Sequence, residues 1–459
     1  MGYTDLSDSI MAGDGGHITI HNQIADNFEY LRDAPGWTNV KAAAYGAAGD
    51  NSTDDTTAIN NAISAANSAG GGVVYFPAGT YKISTALTLF SDIIILGDGP
   101  DVSVIHQTGT TVNGLQWTGN QIQDVLIRDI GITGPSSGSG VGLSIAPSGG
   151  SNPNAANVSL DNVVFTGFGS HAISGNLWIV STFTNVRALN PGGALIHLSG
   201  VANTSLTFTS CYANGPSGHG FDFASGLTYS VLNGCACDSV AGSNIGYNLV
   251  GAVGVTLNSC GNESSANAFV VNGGSSVTLN ACKTYANTGT SFKVTGGAAN
   301  VTLIGCQEQG PGAATHSFEF DSGTNVNVIG WQYTTSTLLT ALPNMLNDGS
   351  GNASVNGLST LLGGSNTSSI AGNDIQYPMT ITTGTAMQPS TATDVMVYLA
   401  VNTTSTVAIT IGGTSTPNVF ILASGSITAP NMFSFRVPRG WYLKSTFTSA
   451  DVTWYAVPC

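Results

Sequence analysis

The phrase Val255-Thr-Leu-Asn-Ser-Cys260 returns as Val277-Thr-Leu-Asn-Ala-Cys282 and again as Val301-Thr-Leu-Ile-Gly-Cys306. Looser copies precede it at Leu206-Thr-Phe-Thr-Ser-Cys211 and Ser230-Val-Leu-Asn-Gly-Cys235. The five cysteines fall at intervals of 24, 25, 22 and 24 residues. A second phrase follows each of them: Phe221-Asp-Phe, Tyr247-Asn-Leu, Phe269-Val-Val, Phe292-Lys-Val and Phe318-Glu-Phe. Apolar and polar residues alternate within each copy, as in a strand with one buried face. A fixed period in the twenties, carried by strands, predicts a solenoid in which each turn buries its apolar face against the next.

Aligning the chain on the cysteines extends the pattern backwards. The residue just before the cysteine column is Asp129, Asn162, Asn185, Ser210, Gly234, Ser259, Ala281, Gly305 and Gly330. Most are types that tolerate the left-handed backbone, so this column predicts a tight bend between two strands. Before the bend, Leu160, Phe183, Phe208, Leu232, Leu257, Leu279 and Leu303 are expected to stack inward. After it, Ile130, Val163, Val186 and the five cysteines should do the same. Turns about 4.8 Å apart would set like residue on like. That spacing does not forbid disulfides, but side chains pointing the same way need not meet. Buried free thiols acting as small hydrophobes are the expected state.

Composition narrows the function classes. Of 459 residues only 8% are charged, with a net charge of −15. Ordinary soluble domains carry about 25% charged residues. Ser, Thr, Asn and 60 Gly stand in for the missing charges. Mean hydropathy is +0.18, yet no run approaches the ~18 apolar residues of a spanning helix. The acidic field argues against nucleic acid and counts against a polyuronate substrate. The start, Met1 to Gly16, has neither a basic segment nor an apolar core, so no Sec-type signal peptide is read there. Synthesis in a reducing cytoplasm is the expectation, with no membrane insertion.

Four segments are expected: 1–36, an attachment or oligomerisation segment; 37–345, the solenoid; 346–370, a Gly, Asn and Ser linker; and 371–459, a β-sandwich. In the first, His21, Ile24, Phe28 and Leu31 share a helical seam that needs a partner. His17 and His21 have the i, i+4 spacing of metal ligands, but no third ligand lies nearby, and the structural reading is preferred. Thr53 and Asp54 are N-cap candidates for a helix with Ala58, Ile59, Ala62, Ile63 and Ala66 on one face. Asp54 and Asp55 look like paired catalytic carboxylates, but a helix-start role is the expectation.

The stretches Tyr45-Gly-Ala-Ala-Gly-Asp50, Thr53-Asp-Asp-Thr-Thr-Ala-Ile59 and Gly71-Gly-Val-Val-Tyr-Phe-Pro-Ala-Gly-Thr-Tyr81 closely resemble the N-terminal signature of pectate-lyase-like (pectate lyase 3 type) proteins. That resemblance implies an all-β, right-handed parallel β-helix whose open end is plugged by the helix. It leaves activity open, because the family includes lyases, hydrolases and non-enzymatic phage proteins. Val437-Pro-Arg-Gly-Trp-Tyr-Leu-Lys444 and Gly16-His-Ile-Thr-Ile-His-Asn22 resemble segments of actinobacterial phage tail proteins. Together these imply a homotrimeric tail spike or minor tail protein, located in the virion and held to other tail proteins through its N-terminal segment.

No P-loop, nucleophile elbow, CxxC pair or zinc motif is present, so neither a cofactor nor a metal is expected. Chemistry is left to side chains laddered on the outer faces. One ladder holds Arg187, Tyr212 and Lys283, which are expected to bind glycan, and three residues past the cysteines stand Asp238 and Glu263, the candidate catalytic pair, in one column. Two carboxylates about 5 Å apart suit a retaining glycosidase. A lyase would need a base, with Arg187 and Lys283 as cations for a uronate. The bland reading is two solvated loop acids. A second ladder, the middle residue of the second phrase, reads Gln116, Ser144, His197, Asp222, Asn248, Val270, Lys293 and Glu319. It shows no convergent pair and is read as glycan-binding through His197, Asp222, Lys293 and Glu319, as subunit contact, or as neither. His219 and His316 are read as turn caps. The expected function is adhesion to a host cell-surface glycan; the alternatives are a polysaccharide-degrading enzyme and a purely structural tail component.

Overall fold

The structure is a computed structural model that describes residues 36–309 except 201, and beyond them a set of strands between 316 and 458. The expected seam helix with His17 and His21 lies outside the described residues. Two compact units divide the chain, residues 1–249 and 250–459. Both contain turns of parallel β-solenoid, about 11 in all.

In the first unit three strand rows repeat along the chain. Thr182–Thr184 pairs in parallel with Thr207–Thr209, which pairs with Val231–Asn233. Arg187–Leu189, Tyr212–Asn214 and Ala236–Asp238 form the next row in the same way. The third runs through Leu115–Trp117, Leu143–Ile145, Ile173–Gly175, Ile196–Leu198 and Phe221–Phe223 to Ile245–Val250. The second unit repeats the arrangement: Thr256–Asn258, Thr278–Asn280 and Ala299–Ile304 are paired in parallel. Leu346–Asp348 and Ala353–Asn356, within the stretch read as linker, also pair in parallel, with His316–Phe320 and Thr324–Ile329. The later strands are antiparallel: Val395–Val401 lies between Asn431–Val437 and Val452–Pro458, and Ser405–Gly412 between Val419–Ile427 and Tyr442–Phe447.

Short strands meet at left-handed corners. The eight described residues of the predicted bend column, Asp129 to Gly305, all have φ between 49° and 57°. Asn162 donates its amide to Asp129 Oδ1 at 2.7 Å, and Asn185 donates to Asn162 Oδ1 at 2.9 Å, so the bend carries its own hydrogen-bonded ladder. A second corner has no counterpart in the sequence reading. In the first unit it is formed by Asp92, Asp124, Asn157, Val180, Ser205 and Tyr229, with φ from 46° to 62°. In the second it is formed by Gly254, Ser276, Asn300 and Asn325. Most of these are residues that accept this conformation; Val180 and Tyr229 are not.

The core follows the predicted columns. Leu160, Phe183, Phe208, Leu232, Leu257, Leu279 and Leu303 are buried, as are Ile130, Val163, Val186 and the five cysteines. The rings of Phe183 and Phe208 stack at 4.5 Å, and those of Phe221 and Tyr247 at 4.8 Å. The described cysteines are thiols outside any disulfide. The Cys235 thiol against it, then burial, push Cys211 well above the usual thiol range, so it stays protonated and inert.

The helix Thr56–Ser68 buries Ile59, Ala62, Ile63 and Ala66 and packs on Trp37–Asn39, Gly72–Phe76 and Leu87–Thr88. Its start differs from the expected cap. Asp55 holds the N-cap position, but its carboxylate turns away to accept the amides of Ala48 and Gly49 at 2.6 and 3.0 Å. Asp54 accepts the Thr56 amide and the Ser84 hydroxyl, and those bonds hold it below the ordinary carboxylate range. Thr53 is turned to Asp50 instead. The two carboxylates thus tie the preceding loop and the helix start to the first turns.

Candidate functional site

The row through Leu143–Ile145, Ile173–Gly175, Ile196–Leu198 and Phe221–Phe223 alternates apolar and polar residues. Its apolar members, such as Ile173, Ile196, Leu198, Phe221 and Phe223, fill the core. The parity of a strand then sends Ser144, Ser174, His197 and Asp222 to the outer face. Parallel register sets each against the next: Ser144 beside Ser174, Ser174 beside His197, His197 beside Asp222, and Asp222 beside Asn248.

These side chains converge, where the sequence reading had found no convergent pair. His197 Nδ1 donates to Asp222 Oδ2 at 2.6 Å, and Asn248 Nδ2 donates to Asp222 Oδ1 at 2.8 Å. The side chain of Asp222 is only 11% exposed, and that of His197 24%. Burial pushes the Asp222 carboxyl up; the bonds from His197 and Asn248 outweigh it and hold the group below its ordinary range. The ring of His171 stacks on that of His197 at 4.4 Å, with 11° between planes. Burial, and then His197 beside it, lower His171 to about 4, so it is neutral at pH 7.

Hydrogen bonds also fix the tautomers. The Ala194 amide donates to His171 Nδ1 at 2.9 Å, and the Ile245 amide donates to His219 Nδ1 at 3.0 Å. Each accepting nitrogen must be unprotonated, so in these neutral rings the proton sits on Nε2. His219 is therefore a turn cap, as expected. In His197 the proton on Nδ1 faces Asp222, which leaves Nε2 as the basic atom of a neutral ring. One imidazole oriented by a carboxylate, with the Nε2–H of His171 stacked beside it, can take up a proton and stabilise an anion.

The other sequence candidates are distributed differently. Tyr212 donates its hydroxyl to Asp238 Oδ2 at 2.8 Å and stands in register with Arg187. Arg187 Nε is buried with no hydrogen-bond partner among the described residues. Asp238 belongs to the first unit and Glu263 to the second. Glu263 is exposed and in register with Tyr285, and Lys283, also exposed, stands beside Gln307. In the second unit Lys293 Nζ meets Glu319 Oε1 at 3.1 Å, while Thr290 donates to Oε2 at 2.9 Å. The side chain of His316 lies outside the described residues. Among the described residues no group of three or more His, Cys, Asp or Glu is placed to hold a metal, and no helix is long and apolar enough to cross a membrane.

His171 and Ser174 are absent from the sequence candidates. Their turn, Ile173-Ser-Gly, lacks the aromatic of the five phrases that follow the cysteines. A signal was there: His171-Ala-Ile-Ser, His219-Gly-Phe-Asp and His316-Ser-Phe-Glu each place a histidine two residues before the first apolar residue of the second phrase.

Residues 37–167 match the family Rhamnogalacturonase A/epimerase, pectate lyase-like. The mannuronan C5-epimerase AlgE3 of Azotobacter vinelandii is 46% identical over 89 residues, which cover 18% of this chain and 4% of that protein. Alginate lyase 7 of the same organism is 47% identical over 74 residues, 15% of this chain and 8% of that protein. The match thus spans less than a tenth of either relative. Among solved structures, the tailspike protein 2 enzymatically active domain of bacteriophage CBA120 superposes with a TM-score of 0.57 at 13% identity, covering 93% of this chain and 76% of that one. The A-module of the Azotobacter vinelandii mannuronan C-5 epimerase AlgE4 gives 0.54 at 18% identity, covering 69% and 99%. The ORF18 product of Geobacillus virus E2 gives 0.56 at 19% identity, covering 72% and 67%. At such identities the likeness is one of fold. The chain carries a pectate-lyase-like parallel β-solenoid, as the signature around Tyr45 had implied.

Proposed function

We propose that this chain is a spike-type phage tail protein that binds a bacterial surface glycan along the outer row Ser144, Ser174, His197, Asp222 and Asn248. The observation that carries the reading is the convergence of His197, Asp222 and Asn248 on an outward face that needs no ionisable group to fold. Hydroxyl, amide and imidazole groups held in fixed geometry suit the hydroxyls of a sugar, because little side-chain freedom is lost on binding. The low charge of the chain, 8%, favours a glycan recognised by hydrogen bonds over one recognised by ion pairs. The fold shared with a phage tailspike domain supports the tail location, and a homotrimer held through residues 1–36 belongs to the same proposal. Affinity electrophoresis against a panel of bacterial surface polysaccharides tests it. Wild type should be retarded by at least one of them, and Asp222→Ala should run free. Mobility unaffected by every polysaccharide would remove the reading.

A second reading, an enzyme acting on polysaccharide, is favoured by the His197–Asp222 pair, whose geometry is that of a base and its orienting carboxylate. Release of reducing ends or of unsaturated uronate from the bound polysaccharide separates cleavage from adhesion. Asp238→Asn and Glu263→Gln distinguish the carboxylate pair expected from sequence from the imidazole site.

A further inference from the structure

Three consecutive turns of the outer row place Ser174, His197 and Asp222 side by side in parallel register. We propose that these three form a nucleophile, base and orienting carboxylate that hydrolyses acyl esters, with O-acylated sugars as the substrate class. The choice of sugar esters as substrate rests on the glycan-binding reading; the serine chemistry does not.

The relation that defines the base is present. Asp222 holds the Nδ1 proton of His197 at 2.6 Å, and Asn248 braces the other carboxylate oxygen. This fixes the tautomer that leaves Nε2 free to accept a proton. Asp222 occupies the turn after His197, and Ser174 the turn before, one strand spacing of about 4.8 Å away. Ser174 is half-buried between the buried Ile173 and Gly175, so strand parity puts its hydroxyl on the face of the imidazole. His171, stacked on His197 and carrying its proton on Nε2, supplies a neutral donor beside them. Fixed N–H dipoles of this kind stabilise an oxyanion without the reorganisation that water would need. The fold does not ask for this set, because the same row elsewhere holds Gln116, Ser144 and Val270.

The step balances within these groups. Ser174 Oγ attacks the acyl carbonyl carbon while its proton passes to His197 Nε2. The carbonyl π electrons move to oxygen, where His171 Nε2–H donates to the oxyanion. Collapse breaks the bond between the carbonyl carbon and the sugar oxygen, and that oxygen takes the proton from His197 to leave as a hydroxyl. Water then attacks the acyl-serine, again giving its proton to His197. The carboxylic acid departs, and Ser174 Oγ recovers the proton.

Reaction of the full chain with a fluorophosphonate probe, read by intact mass and peptide mapping, tests the nucleophile. Wild type should gain one adduct at Ser174, and Ser174→Ala none. Labelling of His197→Ala should slow at least 100-fold. With p-nitrophenyl acetate and an O-acetylated polysaccharide, acetate release should fall at least 1000-fold in Ser174→Ala, a change too small to unfold a half-buried position. Absence of an adduct at Ser174, or acetate release equal in wild type and Ser174→Ala, overturns the proposal. Glycan binding without labelling would remove the triad and keep the adhesin; labelling without binding would do the reverse.

Discussion

Replacing Tyr229 by Asn should make the protein more stable. Tyr229 sits at the second corner with φ 46°, and its side chain is 73% exposed. The equivalent residues Asn157, Asn300 and Asn325 adopt φ of 53° to 54°. For most L residues the left-handed region costs about 1–2 kcal/mol, which Asn largely avoids by local hydrogen bonding. Little burial is lost, because the ring is mostly in water. The neighbouring corner residue Ser205 keeps its amide bond to the Thr228 carbonyl at 3.0 Å whatever stands at 229. A gain of about 1 kcal/mol follows, equivalent to a rise of roughly 2–4 °C in the midpoint for a unit of this size. Val180→Asn should behave alike, since Val180 has φ 48° and is 61% exposed. Differential scanning fluorimetry and urea unfolding give the comparison. Unchanged or lower midpoints in both Asn variants would refute the claim that this corner is strained.

Three further outcomes follow from the core and the site. The neutral His171 refuses a proton that its unfolded form accepts, so its contribution is complete above about pH 6.5, where the free imidazole titrates. It is lost as pH falls towards the folded value of about 4, up to about 3 kcal/mol in all. In His171→Asn the urea midpoint should change less between pH 7 and pH 4.5 than in wild type; an identical change would contradict the assignment. Phe208→Ala removes a buried ring stacked at 4.5 Å on Phe183 and should cost about 3–5 kcal/mol in urea unfolding; a loss below about 1 kcal/mol would contradict the stack. The thiols of Cys211, Cys235, Cys260, Cys282 and Cys306 are buried and outside any disulfide, so a thiol reagent should modify them only after denaturation, and rapid modification of the native protein would place them elsewhere.

The parts legible in the sequence were those repeated in every turn. The bend before each cysteine was readable because Asp129, Asn162, Asn185 and Gly234 are chemically alike in what they permit the backbone. The inward columns were readable because a one-residue slip would send Phe208 or Leu257 into solvent. The second corner escaped because Val180 and Tyr229 break its composition while obeying its geometry. The site escaped for a different reason. A period shows which residues share a column, but a bond such as His197 to Asp222 depends on rotamers across turns. His171 enters only through the way its ring lies on the next histidine. The helix cap was misplaced by one residue because Asp54 and Asp55 are chemically interchangeable, and only the loop amides of Ala48 and Gly49 choose between them.

The central claim is that the outer row around Asp222 is a glycan-binding surface. Retention of the protein on immobilised bacterial surface polysaccharide, with wild type, Asp222→Ala and Asn248→Ala side by side, tests it most directly. Wild type should be retained, Asp222→Ala should lose at least 10-fold in affinity with its fold intact by circular dichroism, and Asn248→Ala should fall between them. Equal retention of all three would contradict the account.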